Sequence, residues 1–224
     1  MELLEQFGLT KDQISKFERY LELLLEWNEK FNLTAITKKD EIEEKHFLDS
    51  IELLKFFDIK GKTLLDVGSG AGFPGIPLAI AEPTAKVTLL EANGKKHSFL
   101  IEAVKELKLT NVEVIKGRAE ELNKREHFDV VTARAVKELN ILLEICFHFV
   151  KVGGCFIAYK GPGVTEEIEH AKRALKALGA EEVEKVSYNL PKSQNPRVFL
   201  KIFKKNATSK KYPRRYGEIV NHPL

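Results

Sequence analysis

One segment constrains this chain more than any other: Asp66-Val67-Gly68-Ser69-Gly70-Ala71-Gly72-Phe73-Pro74-Gly75. Three alternating glycines follow directly on Thr63-Leu64-Leu65-Asp66-Val67, a short apolar run that reads as a strand. Glycine tolerates positive φ and lets a backbone approach a ligand without interference from a Cβ. A strand closing in such a turn opens an α/β fold, whose ligands lie beyond the carboxyl ends of the strands near a topological switch.

From Gly61 onward the pattern alternates. The spacing predicts a helix over Gly75 to Ala81, a strand at Lys86 to Glu91, a helix over Lys95 to Leu107 and a strand at Val112 to Ile115. A fourth strand follows at Phe128 to Thr132, then a helix near Leu139 to Phe149 and a strand at Gly154 to Tyr159. Val164 to Leu178 reads as a polar-faced helix, and Val183 to Leu190 with Val198 to Phe203 as a closing antiparallel hairpin. This argues for a mostly parallel seven-stranded sheet covered on both faces, with expected order 3-2-1-4-5-7-6. The first 60 residues read instead as helices. Thr10 with Gln13 is a capping-box pattern ahead of Ile14, Phe17, Leu21, Leu24, Leu25, Trp27 and Phe31. Asn32-Leu33-Thr34 breaks that pattern, and a second helix is expected through Ile42, Phe47, Ile51, Leu54 and Phe57. The expected division is a helical cap over 1–60, an α/β core over 61–204 and a basic tail over 205–224 folded onto the core.

Composition excludes several classes. With 43% apolar and 31% charged residues in 224, the chain can bury a sizeable core and is no disordered, collagenous or rod-like chain. No run approaches the roughly 18 apolar residues of a membrane span. Met1-Glu2-Leu3-Leu4-Glu5 shows no basic region leading into an apolar run, so no secretory signal is expected. Cys146 and Cys155 are too few for a disulfide framework or a cysteine-rich zinc site, and the histidines form no ligand-like pair. No metal is expected, and a reducing cytoplasm is the expected compartment. The net charge of +3 hides an asymmetry: residues 1–60 hold 9 Lys/Arg against 14 Asp/Glu, residues 201–224 hold 7 against 1. A basic end can attract nucleic acid or anionic lipid, or simply aid solubility.

The glycine loop, together with Glu91 at the end of the second strand, points to a nucleoside-bearing cofactor, because a carboxylate there can accept from both ribose hydroxyls. Gly70-Ala71-Gly72-Phe73-Pro74-Gly75 formally fits a dinucleotide fingerprint, but it begins two residues after the strand end. Asp66 before the loop is awkward beside a pyrophosphate and suits the ammonium or sulfonium region of S-adenosylmethionine. Asp-x-Gly-x-Gly-x-Gly, with Asp66, Gly68, Gly70 and Gly72, therefore favours the methyl donor over a dinucleotide or a purely structural turn. Gly117-Arg118-Ala119-Glu120 follows the third strand, where Ala119 and Glu120 can address an adenine; Glu120 reads equally as a helix-start acid. Arg134, after the fourth strand, can pair with the donor's carboxylate or a substrate phosphate.

Absences narrow the chemistry. The chain has Thr132-Ala133-Arg134-Ala135 where amino methylation of adenine or cytosine uses an acidic or polar residue before Pro-Pro-aromatic. Cytosine C5 chemistry needs a Pro-Cys nucleophile, whereas Cys146 and Cys155 read as core residues. Guanine N7 carries an in-plane lone pair and no proton, so alignment and water exclusion suffice and no covalent or general-base residue is expected. His46 and Asp49 share a helix face with Lys45; they read either as a packed, hydrogen-bonded cluster or as a wall of the substrate pocket. Lys204, Lys205, Lys210, Lys211, Arg214 and Arg215, interleaved with Tyr212 and Tyr216, read as an RNA-facing segment or a solvated tail. Pro213 and Gly217 would interrupt an amphipathic membrane helix, and Lys160 can add a cationic loop.

These blocks, in order, resemble the bacterial small-subunit ribosomal RNA guanine-N7 methyltransferase family, long called glucose-inhibited division protein B. The matching residues are Trp27-Asn28 through Phe31-Asn32-Leu33-Thr34, Lys45-His46-Phe47-Leu48-Asp49-Ser50, and the loop continued through Ile76-Pro77. Glu91-Ala92-Asn93-Gly94-Lys95-Lys96, Gly117-Arg118-Ala119-Glu120, Thr132-Ala133-Arg134-Ala135-Val136 and Lys211-Tyr212-Pro213-Arg214-Arg215 complete them. The resemblance implies a Rossmann-like class I S-adenosylmethionine-dependent methyltransferase with an N-terminal helical extension, acting on N7 of one guanine in the 530 loop of 16S ribosomal RNA. It implies cofactor contacts at Gly68, Phe73, Glu91, Ala92, Asn93, Ala119, Glu120 and Arg134. Arg134, His46 and Asp49 are the candidate positioning residues. The expected partner is 16S ribosomal RNA or a small-subunit assembly intermediate, with no membrane, and the chain is expected to be a monomer. A small-molecule methyltransferase and a non-catalytic RNA-binding protein are the alternatives.

Overall fold

The computed structural model describes residues 1–134 and 137–224; Ala135 and Val136, part of the Thr132 to Val136 block, lie outside the described residues. Strands β1 (Thr63–Val67), β2 (Lys86–Glu91), β3 (Val112–Lys116), β4 (Phe128–Ala133), β5 (Val150–Lys160), β6 (Ala180–Asn189) and β7 (Pro196–Lys204) form one sheet. Its order, β3-β2-β1-β4-β5-β7-β6, is the expected one. The first five strands run parallel, and β7 lies antiparallel between β5 and β6.

Strand alternation sends neighbouring residues to opposite faces. Leu64, Val130, Ile157 and Phe199 join one hydrophobic cluster, while Leu65, Val131, Phe156 and Leu200 join the other. The first cluster also contains residues of α1 (Glu2–Gln6), α2 (Lys11–Asn28) and the following helical run, so the N-terminal helices share one continuous core with the sheet. The capping box closes as expected: Thr10 N–H donates to Gln13 Oε1 at 2.9 Å and Gln13 N–H to Thr10 Oγ1 at 3.3 Å. The second expected helix is not uniform. It starts as α3 (Lys39–Ile42), widens to a π-turn over Glu43–Leu48, returns to α4 (Asp49–Ile51) and tightens to a 3-10 turn over Glu52–Lys55. Ile42 and Phe47 are five residues apart, and both are fully buried. A five-residue step keeps both on the core face when one turn is widened. Glu43 accepts from Leu3 N–H at 2.8 Å, and Glu44 from Lys192 and Ser193 N–H at 2.6 and 2.8 Å, so the buried carboxylates of the turn are satisfied.

The first crossover helices are α5 (Gly75–Ala81) and α6 (Gly94–Glu106). Opposite them lie α7 (Leu139–Cys146), which ends in a 3-10 turn at Phe147–Phe149, and α8 (Val164–Leu178). The C-terminal segment adds α9 (Tyr216–Asn221), absent from the sequence pattern, and buries Tyr212 and Ile219 in the second cluster. No helix among the described residues is long and apolar enough to cross a membrane.

Candidate active site

β1 delivers the glycine loop to the carboxyl edge of the sheet. Gly68 and Ser69 N–H both donate to Leu90 O, at 2.9 and 3.1 Å. Gly70 N–H donates to Glu91 Oε2 at 2.8 Å, and Asn93 N–H to Glu91 Oε1 at 2.7 Å. Glu91 thus ties the loop to the end of β2 while each oxygen keeps a lone pair for another donor. Gly68 and Gly70 have φ of +71° and +60°, and a Cβ built on either would stand in open space or 3.8 Å from Gly68 O. That open cradle, with a carboxylate at its rim, fits a nucleoside.

Two expected loop contacts face elsewhere. A Cβ on Gly72 would lie 2.5 Å from Tyr20 Oη and 2.6 Å from Ile76, so this glycine serves packing beneath α2, where Tyr20 O–H donates to Ala71 O. Asp66 is fully buried under the loop; it accepts from Gly75 N–H at 3.1 Å and Thr132 Oγ1 at 3.4 Å. Burial pushes its carboxyl up to about 6, although those hydrogen bonds oppose the shift. Asp66 thus supports the loop from beneath, and the side-chain direction of Gly72 faces α2.

On the adenine side, Ala119 and Glu120 sit in a 3-10 turn over Ala119–Glu121 beyond β3. Glu120 pairs with Arg118 at 3.7 Å. Ala92 is exposed. The Asn93 side chain is occupied as the cap of α6, accepting from Lys95 and Lys96 N–H at 3.0 and 3.2 Å.

Phe73 leads from the loop into a cleft of about 300 Å³ whose walls include Lys45, His46, Asp49, Arg134, Tyr188 and Arg197. His46 stacks on Phe73, centroids 4.5 Å apart and planes 21° apart, and the Arg134 guanidinium stands 4.8 Å from the same ring. Arg134 Nη2 lies 3.2 Å from His46 Nδ1, and Arg134 Nη1 donates to Asp49 Oδ2 at 3.4 Å. The same Nδ1 lies 3.2 Å from Lys45 O, and Nε2 lies 2.8 Å from Thr34 Oγ1, so both ring nitrogens are engaged. Burial, then Arg134, hold the His46 imidazole down near 3, so it is neutral at physiological pH. His46 is thus packed and hydrogen-bonded and also walls the cleft. Asp49 is buried; Tyr188 O–H donates to its Oδ1 at 2.8 Å and Arg197 Nε lies 3.3 Å from the same oxygen.

Tyr188 and Arg197 escaped the sequence reading. They are direct partners in the β6–β7 register, and only that pairing brings both over Asp49. A cation and a tyrosine opposite each other across the expected hairpin were the available signal. Burial pushes the Cys155 thiol up to about 12 and raises that of Cys146 as well, so neither is poised as a nucleophile.

The basic residues divide. Lys204 is buried, donating to Val150 O at 2.8 Å and pairing with Glu126 at 3.2 Å. Arg214 grips the fully buried Glu144 through Nη2 at 2.6 Å and Nε at 2.8 Å. Lys160 has a side chain only 7% exposed, held by Glu167 and Lys137 O, each at 2.6 Å. Lys204, being buried, is corrected from an RNA contact to an internal anchor, whereas Lys160 and Arg214 are engaged in ion pairs and also line clefts. Lys205, Lys210, Lys211 and Arg215 lie exposed.

A family model described as rRNA small subunit methyltransferase G matches residues 13–195. The ribosomal RNA small subunit methyltransferase G of Lachnoclostridium phytofermentans is 48% identical over 221 residues, covering 96% of this chain and 91% of that protein. Its counterpart from Alkaliphilus oremlandii is 45% identical, covering 96% and 92%. Among solved structures, a putative S-adenosyl-L-methionine-dependent methyltransferase from Methanococcus maripaludis superposes with a TM-score of 0.58 at 16% identity, over 75% of this chain and 90% of that one. M. jannaschii TYW2 in complex with AdoMet gives 0.56 at 21%, over 70% and 76%. At these identities the structural likeness is one of fold.

Proposed function

The chain belongs to the ribosomal RNA small subunit methyltransferase G family, and we propose that it transfers a methyl group from S-adenosylmethionine to N7 of a guanine in the 530 loop of 16S ribosomal RNA. One observation carries this reading: Phe73 is part of the glycine loop, and its ring is covered by His46 and Arg134, which wall the neighbouring cleft. The loop side and the cleft side thus meet at one aromatic face.

When bound, the donor supplies an electrophilic methyl on sulfonium. That methyl would pass to the in-plane lone pair of guanine N7, with the carbon–sulfur electrons left on sulfur and the positive charge on the base. No proton has to leave, so the residues need only bind, orient and exclude water. Glu91 offers its remaining lone pairs to ribose hydroxyls, and the Arg118–Glu121 turn the adenine side. The apolar stack of Phe73 and His46 limits water at the junction. Asp49, held by Arg134, Arg197 and Tyr188, is the acceptor suited to a guanine's N1–H and amino edge, which turns N7 away from it. The exposed Lys210, Lys211 and Arg215 favour RNA over a small-molecule acceptor.

The test is methyl transfer from labelled S-adenosylmethionine to small-subunit RNA, and to its precursor particle, from cells lacking this protein. One N7-methylguanine in the 530 loop is expected, found by mass spectrometry of RNA fragments. Label confined to small molecules, or to another base, defeats the reading.

A further inference from the structure

The C-terminal segment is tied down at several points. Arg125 donates to Tyr212 O, Thr208 O and Ser209 O at 2.5, 2.8 and 3.2 Å, and Glu144 of α7 also accepts from Arg214 N–H at 3.0 Å. The result sets Pro213 to Tyr216 against the Arg118–Glu121 turn, enclosing a second cleft of about 350 Å³. The Tyr216 ring lies 6.0 Å from the Arg118 guanidinium and 5.8 Å from the Lys137 ammonium. One ring therefore spans the turn after β3 and the loop after β4. Tyr216, 36% exposed, lines this cleft together with the Glu120 carboxylate, an arrangement that can receive a flat ligand.

We propose that the strap from Pro213 to Tyr216 is the outer wall of the donor's adenine subsite, with Tyr216 packing on the base and the Glu144–Arg214 pair as positioning residues. This rests on the reading that Ala119 and Glu120 address the adenine. An adenine suits the cleft: it is planar and apolar on its faces, and its exocyclic amine can donate to a carboxylate. The strap thus belongs to the cofactor site as well as carrying the exposed Arg215.

The test uses the full chain and three probes: S-adenosylhomocysteine and 5′-methylthioadenosine by calorimetry, and a 530-loop RNA by anisotropy. Tyr216→Ala should weaken both adenosine ligands about tenfold, the scale of one lost aromatic contact, and Tyr216→Phe should restore them. The KM for the donor should rise while kcat at saturating donor is kept. Glu144→Gln, checked to melt as one cooperative unit, should reproduce the loss by loosening the strap. Wild-type affinity for both adenosine ligands in Tyr216→Ala overturns the proposal, and a loss confined to RNA then makes the strap an RNA arm only. Glu120→Ala separates the two readings. If it weakens adenosine binding while Tyr216→Ala does not, only the strap falls; if neither matters, the adenine assignment falls with it.

Discussion

His148 is 2% exposed, its Nδ1 has no hydrogen-bond partner among the described residues, and burial with Arg125 and Lys204 nearby lowers its pKa to about 3. Between about pH 3 and 6.5 the unfolded chain therefore holds more protons at this position than the folded one. Stability from this group is complete above 6.5 and drains away as the pH falls, at up to about 1.4 kcal/mol per pH unit. His148→Leu should flatten the acid limb of stability by about one proton while changing stability little at neutral pH. Urea midpoints from pH 4 to 8 measure this, and an unchanged slope refutes it. Asp66 acts in the opposite sense: its raised pKa makes the folded state retain a proton up to about pH 6, so its contribution declines as the pH rises toward that value.

Gly68 and Gly72 look equivalent in the sequence, yet they serve different elements. At Gly72, φ is +94° and a Cβ would strike Tyr20 of α2; at Gly68, φ is +71° with nothing within 4 Å. Gly72→Ala should cost about 2–4 kcal/mol, against about 1 kcal/mol for Gly68→Ala, where only backbone strain is added. Equal losses in denaturant midpoint would show that α2 does not press on the loop. The strands and crossover helices were legible because each carries its own period, and the loop because its glycines follow a strand directly. The π-turn was not: its only trace is the five-residue step from Ile42 to Phe47, which a single helical period absorbs. Nor could charge reveal that Lys204 and Arg214 point inward, since their partners Glu126 and Glu144 lie 78 and 70 residues away. Arg197 gained its place over Asp49 only through the strand pairing.

Across the whole molecule the exposed basic residues become fewer than composition suggested. Replacing Lys210, Lys211 and Arg215 by Ala, with Arg214 left in place, should weaken RNA binding and make the dependence of log affinity on log salt shallower by about 2. An affinity series from low to high salt checks this; a wild-type slope returns these cations to a solvated surface. The cleft draws on Lys45 to Asp49, on Arg134 and on the Tyr188–Arg197 pair, whereas the glycine loop and Glu91 are finished within the first half of the chain. The cleft is thus assembled from both ends of the chain around a loop that lies between them, and the Tyr188–Arg197 pair is its last contribution in sequence. β7 clasps the edge strand β6 to β5, and through that single clasp Tyr188 and Arg197 both close on Asp49.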